Sequence, residues 1–138
     1  MAIAARDAFL ELADRDAHAF DGVMIAFKMP KETDEQRASR SDAIQTGYLD
    51  AASVPLATLR RAAELMPAAV EVTAQGNPQA ASDGLSAAAS LFAAALCAAA
   101  NVEINAASLK DAAIRSAMLA SVTCTSGRGG AVARPRGS

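Results

Sequence analysis

The sequence predicts an all-α protein, an antiparallel bundle of closely packed helices. Three observations carry this. Alanine, the best helix former, fills the middle of the chain. Val and Ile never cluster in the alternating runs that mark strands. Apolar residues recur instead at steps of three and four, the period of a helix face. A chain of 138 residues is the size of one domain with a core of its own. Its Ala-rich faces further imply that helix axes approach closely.

The first helix is expected from near Ile3 to Lys28 and starts abruptly, with no N-cap. Phe9, Ala13, Asp16, Phe20, Val23 and Phe27 fall on one stripe that reads as a buried face. Asp16 is the one polar member. A carboxylate in a packing stripe is costly unless it is paired, hydrogen-bonded or protonated. Asp16 is therefore the first candidate for chemistry. The plain alternatives are a structural pair with a nearby Arg or Lys, or a buried face phased differently from this stripe. His18, two residues on, points away from Asp16 and reads as a solvated histidine.

Met29 to Thr33 is a break, marked by Pro30. Thr33 is a predicted N-cap, with Asp34 and Glu35 in the first turn and Gln36 completing a capping box. The second helix carries Ile44, Tyr48, Ala51 and Pro55. Pro55 is expected to kink it or to restart it as a third helix. That segment continues through Leu56, Leu59, Ala63 and Met66 to Gln75, where Gly76-Asn77-Pro78 is a stop signal.

Ser82 or Asp83 is expected to cap the Ala-rich helix that follows. At 100° per residue, Asp83 and Asn101 point the same way, with Ser86, Ser90, Cys97 and Asn105 close to that line. Leu85, Phe92 and Leu96 lie opposite. A face of small polar groups lines a wet cavity or a helix–helix contact, and the pattern leaves both readings open. A short helix is expected from Ser108 to about Val122. Residues 123–138 read as a disordered Arg/Gly tail beside a helical domain over residues 1–122. The tail's arginines read as bystanders rather than RNA ligands.

Composition narrows the function classes. A formal net charge of -2 argues against nucleic acid or an anionic membrane as the main partner. Gly84 to Val102 carries no charge and approaches the length of a span. Small residues dominate it and no basic cluster or aromatic belt flanks it, so it reads as a bundle helix, with no membrane partner. Cys97 and Cys124 match no metal or redox spacing. They fit a reduced, cytoplasmic setting, with Cys97 a small apolar filler, and no metal is expected.

The run ADRDAHAFDGVMIAFKMPKETDEQRASRSDAI, then SVPL at Ser53 to Leu56, QGN at Gln75 to Asn77, SD at Ser82-Asp83 and NVEIN at Asn101 to Asn105 resemble the cyclodeaminase/cyclohydrolase family. Order and spacing hold from about Ala13 to Asp111. The resemblance implies a folate enzyme built as an all-α bundle and assembled as a homo-oligomer. Its substrate would be a tetrahydrofolate derivative, either 5,10-methenyltetrahydrofolate for hydrolysis or 5-formiminotetrahydrofolate for cyclodeamination. The second Asp of the family's D-x-D-x-x-A-F stretch is tied to activity, and that position here is Asp16. One carboxylate alternating between base and acid serves either route, and its ionised form also stabilises a cationic amidinium.

The same resemblance implies weaker roles. Lys31 and Arg40 would meet the glutamate tail of the substrate. For Lys31 the rival is a solvated loop charge, and for Arg40 a structural pair with Asp16 or Asp83. Asn77, Ser82, Asp83, Asn101 and Asn105 would bind the pterin edge or orient water, although Asn77 also fits a helix stop and Ser82 a cap. The family begins with a helix, a Pro-Gly-Gly-Gly segment and another helix ahead of D-x-D, and ends in a long helix. This chain has the look of a domain lacking those parts, with apolar faces left open to self-association. The alternative function is a non-catalytic helical interaction module or an inactive remnant of the enzyme.

Overall fold

The computed structural model describes residues 2–132, with side chains over 3–127. Four helices follow one another: α1 (Ala2–Lys28), α2 (Asp34–Gln75), α3 (Ala81–Ala107) and α4 (Ala112–Val132), with a 3₁₀ turn at Pro78–Ala80 before α3. No strand occurs among the described residues. Short connections send successive helices back along one another. The long α2 is the spine and packs against each of the others.

The α1–α2 turn is built as its residues dictate. Thr33 Oγ1 accepts from the Gln36 N–H at 3.2 Å, and Gln36 Oε1 accepts from the Thr33 N–H at 3.3 Å, a complete capping box. Arg37 Nη1 donates back to the Lys31 and Glu32 carbonyls at 3.1 and 2.8 Å. The exposed Glu35 carboxyl is held below its ordinary pKa by backbone hydrogen bonding and the Thr33 side chain.

Pro55 does not restart the helix. α2 runs unbroken for 42 residues through both Pro55 and Pro67. Proline brings no N–H, so the Ala51 carbonyl four residues back loses its helical partner. Asn105 of α3 supplies one, its Nδ2 donating to that carbonyl at 3.0 Å. A tertiary hydrogen bond thus replaces the missing local one.

Close approach selects small residues at the helix contacts. A Cβ on Gly47 would meet Val23 Cγ2 at 3.0 Å and Val23 Cα at 3.2 Å, where α1 crosses α2. A Cβ on Gly84 would meet Thr73 Oγ1 at 2.5 Å and Thr73 Cα at 3.1 Å, where α3 crosses α2. On α1 the residues turned inward are Ala5, Val23 and Ala26. The predicted stripe is therefore not the buried face. Only Val23 of that stripe is buried, while Phe20 is 63% exposed and Asp16 is also exposed. A Phe could not enter so tight a crossing, so the bulky members of α1 stay outside it.

The same logic corrects the reading of α3. Its packing seam is Gly84, Ala98, Val102 and Ala106, and Val102 with Leu59 of α2 forms the fully buried centre. Leu56, Ala98 and Val122 complete that cluster. Burying a Leu or Val of this kind is worth about 1.5–3 kcal/mol. Leu85, Phe92 and Leu96 remain 65%, 57% and 57% exposed. Cys97 is exposed rather than a core filler, as is Cys124. Pro78–Ala107 is long and apolar enough to cross a membrane by length and composition, yet one side of it is committed to α2.

The helix ends also differ from expectation. Neither Ser82 nor Asp83 caps α3; both lie in its first turn, and Ala80 is the N-cap without a side-chain bond. Asn77 caps instead, its Oδ1 accepting from the Gln79 N–H at 3.1 Å to open the 3₁₀ turn. Asp111 Oδ1 caps α4 by accepting from the Ala113 and Ile114 N–H groups at 2.8 and 3.0 Å. α4 runs on to Val132, past the end expected near Val122. The remainder of the predicted Arg/Gly tail, 133–138, lies outside the described residues.

Candidate active site

An open cleft of about 350 Å³ lies where α1, α2 and α3 meet. Asp16, Phe20, Met24 and Phe27 come from α1, Tyr48 from α2, and Asn101 and Asn105 from α3. The structure thus brings together three sequence-predicted residues, Asp16, Asn101 and Asn105, against an apolar and aromatic wall. Asp16 makes no ion pair among the described residues, which removes the reading of a structural pair. Asp16 is exposed on the outer, bulky face of α1 and lines this cleft. Asn105 Nδ2 donates to the Asn101 carbonyl as well as to that of Ala51, both at 3.0 Å.

Phe27 and Tyr48 meet edge to face, with centroids 6.2 Å apart and planes at 83°, a favoured aromatic geometry. Arg40 rests over the Phe27 ring, its guanidinium carbon 5.7 Å from the ring centroid. Arg40 Nη2 donates to the Phe27 carbonyl at 3.1 Å, serving one of the carbonyls left open at the end of α1. Arg40 therefore pairs with neither Asp16 nor Asp83. Its buried Nε–H has no hydrogen-bond partner among the described residues.

Arg40 also lines a second cleft of about 380 Å³, with Lys31, Arg37, Ser41, Gln45 and Lys110. The two clefts are neighbours through the Arg40–Phe27 contact. Lys110 was not legible as a site residue. It stands on the α3–α4 connection, 65 residues from Gln45 in the chain, and folding alone brings it there. Gln45 grips that connection, Oε1 accepting from the Lys110 N–H at 2.7 Å and Nε2 donating to the Ser108 carbonyl at 3.2 Å. Lys110 Nζ donates to Ser41 Oγ at 2.7 Å. The result is a concave surface with four cations, of which Arg37 is paired with Asp34.

Other predicted residues stand apart. Ser82 and Asp83 lie at the opposite end of α3 from Asn101, roughly 27 Å away at 1.5 Å per residue, and Asn77 lies beyond them. They line neither cleft. Ser86 and Ser90 are exposed and donate to the Ser82 and Ser86 carbonyls at 2.8 Å each. His18 is exposed, and its Nδ1 donates to the Asp14 carbonyl at 2.7 Å. Among the described residues no group of three or more His, Cys, Asp or Glu is placed to hold a metal ion.

Fold and clefts together define a class: an all-α protein that sets a carboxylate opposite amide side chains in an aromatic-walled cleft, with a cationic cleft alongside. The chain belongs to the formiminotransferase-cyclodeaminase family, whose model matches residues 1–123. It is 42% identical over 96 residues to a methenyltetrahydrofolate cyclohydrolase of Methylorubrum extorquens, covering 70% of this chain and 46% of that protein. It is 42% identical over 66 residues to the formimidoyltransferase-cyclodeaminase of Sus scrofa, covering 48% of this chain and 12% of that protein. A formiminotetrahydrofolate cyclodeaminase structure from Thermotoga maritima superposes with a TM-score of 0.78 at 28% identity, covering 93% of this chain and 60% of that one. The chain thus spans about half the length of the bacterial cyclohydrolase that it matches.

Proposed function

We propose that this chain carries the carboxylate half-site of a folate enzyme that hydrolyses 5,10-methenyltetrahydrofolate. The observation that carries the reading is the cleft that unites Asp16 with Asn101 and Asn105 beside Phe27 and Tyr48. The substrate holds a cationic amidinium carbon between N5 and N10. The Asp16 carboxylate stabilises that charge and takes a proton from the attacking water. The water oxygen bonds to the carbon, the first proton passes to N5 as the C–N5 bond breaks, and the remaining hydroxyl proton is lost to solvent as the formyl carbonyl forms on N10. The aromatic wall accommodates the flat pterin. Lys31, Arg40 and Lys110 in the neighbouring cleft suit the carboxylates of the glutamate tail.

A second reading, cyclodeamination of 5-formiminotetrahydrofolate, is favoured by the shared fold with the cyclodeaminase structure. There N10 attacks the same carbon and ammonia leaves. The test is loss of methenyltetrahydrofolate absorbance, with ammonia release from the formimino compound in parallel. Asp16→Asn is expected to lower turnover by roughly 100-fold or more, the usual scale for a general base, with helicity unchanged. Equal accelerated rates with wild type and variant would reject catalysis by Asp16; no acceleration and no folate binding by either would leave an inactive remnant or the non-catalytic interaction module, which the exposed apolar residues favour.

A further inference from the structure

The two amide protons of Asn105 are both spent on backbone carbonyls, those of Ala51 and Asn101. An asparagine amide is free to turn over in many settings, presenting donors or an acceptor. Here it is not. The Ala51 carbonyl needs a donor because Pro55, four residues on, has no N–H to give. An ordinary residue at 55 would bond that carbonyl within the helix and weaken the claim on Asn105. The one polar atom of the side chain with no hydrogen bond among the described residues is Oδ1, an acceptor, and Asn105 lines the Asp16 cleft.

We infer that Pro55 is a positioning residue, whose missing N–H locks the Asn105 amide so that Oδ1 accepts a hydrogen bond from a substrate N–H. The inference rests on the folate reading above and sharpens it. The edge of the pterin ring offers such donors, its ring N–H and its exocyclic amino group. A ligand presenting only acceptors at that place would meet no partner. Pro55 is buried and lines neither cleft, so its effect must pass through Asn105.

The experiment is titration of wild type, Pro55→Ala, Asn105→Ala and the double variant with 5-formyltetrahydrofolate, a stable probe. Side-chain amide proton exchange of Asn105 is followed by NMR in wild type and Pro55→Ala. Asn105→Ala is expected to weaken binding roughly tenfold and Pro55→Ala roughly threefold, the scale of one hydrogen bond and of its partial misorientation. The double variant should bind like Asn105→Ala alone, since the two act through one contact, and Asn105 protons should exchange faster in Pro55→Ala. Wild-type affinity in Pro55→Ala, or losses that multiply in the double variant, would overturn the inference alone. Should Pro55→Ala not fold, Asn105→Asp decides: it keeps acceptors but no donors, and undiminished binding would overturn the lock. A wild type that binds no folate would overturn the folate reading and this inference with it.

Discussion

Asp16 shows how a candidate can be singled out through a wrong environment. Periodicity places it on the stripe of Phe9, Phe20 and Phe27, and that stripe does exist as one face of α1. Asp16, Phe20 and Phe27 of it line the cleft, however, because the buried residues of α1 are Ala5, Val23 and Ala26. A carboxylate there has no burial penalty to offset and stays accessible to solvent. Arg40 was ambiguous for a similar reason. Its hydrogen bond to the Phe27 carbonyl and its place over the Phe27 ring depend on a crossing that sequence spacing does not encode. Arg40→Gln is expected to raise KM about tenfold, in line with the loss of a charge-assisted contact, with a smaller change in kcat. Steady-state kinetics on methenyltetrahydrofolate checks that split, and an equal fall in kcat would assign Arg40 to the chemical step instead.

At the level of elements, local signals placed helix starts and stops well where side chain and backbone lie within a few residues. The Thr33–Gln36 capping box and the Gln75 stop are both of that kind. The prediction of a restart failed at Pro55, because the group that rescues the Ala51 carbonyl comes from α3, 54 residues away. Prediction failed also at the start of α3, where a 3₁₀ turn capped by Asn77 pre-empts Ser82 and Asp83. The helix crossings yield a paired prediction. Gly84→Ala should destabilise by about 1–3 kcal/mol, since its Cβ meets the Thr73 backbone as well as its side chain. Gly22→Ala, in a helix with nothing within 4 Å of the new Cβ, should stabilise by about 0.5–1 kcal/mol. Thermal unfolding of both variants tests the pair, and shifts of the same sign would contradict the close-approach argument.

For the whole molecule, the telling feature is how much bulky apolar surface stays open. Ile3, Leu10 and Ile25 on α1, and Leu85, Phe92 and Ile104 on α3, are all more than half exposed. Water contact over such faces favours association. The chain is expected to sediment as species larger than a monomer at micromolar concentration. Phe92→Ser combined with Leu96→Gln should shift that distribution toward monomer, because both side chains are 57% exposed and contribute to no core. An unchanged distribution by analytical ultracentrifugation would remove α3 from the contact.

By itself, the sequence determined that the chain is helical, where the α1–α2 break falls, where α2 ends, and which family it belongs to. Those follow from short-range physics, namely propensity, capping and proline chemistry, and from ordered motifs. It also supplied Asp16, Asn101 and Asn105 as candidates, but not that they share one cleft while Asn77, Ser82 and Asp83 stand at the far end of α3. Tertiary structure alone decided which face of each helix is buried. The helices pack through glycine and alanine at near contact, so the widest hydrophobic stripes are not the ones that fit. It alone also brought Lys110 beside Arg40 and Asn105 to the Ala51 carbonyl. Such contacts join residues more than 50 positions apart, and their geometry exists only once the helices have crossed.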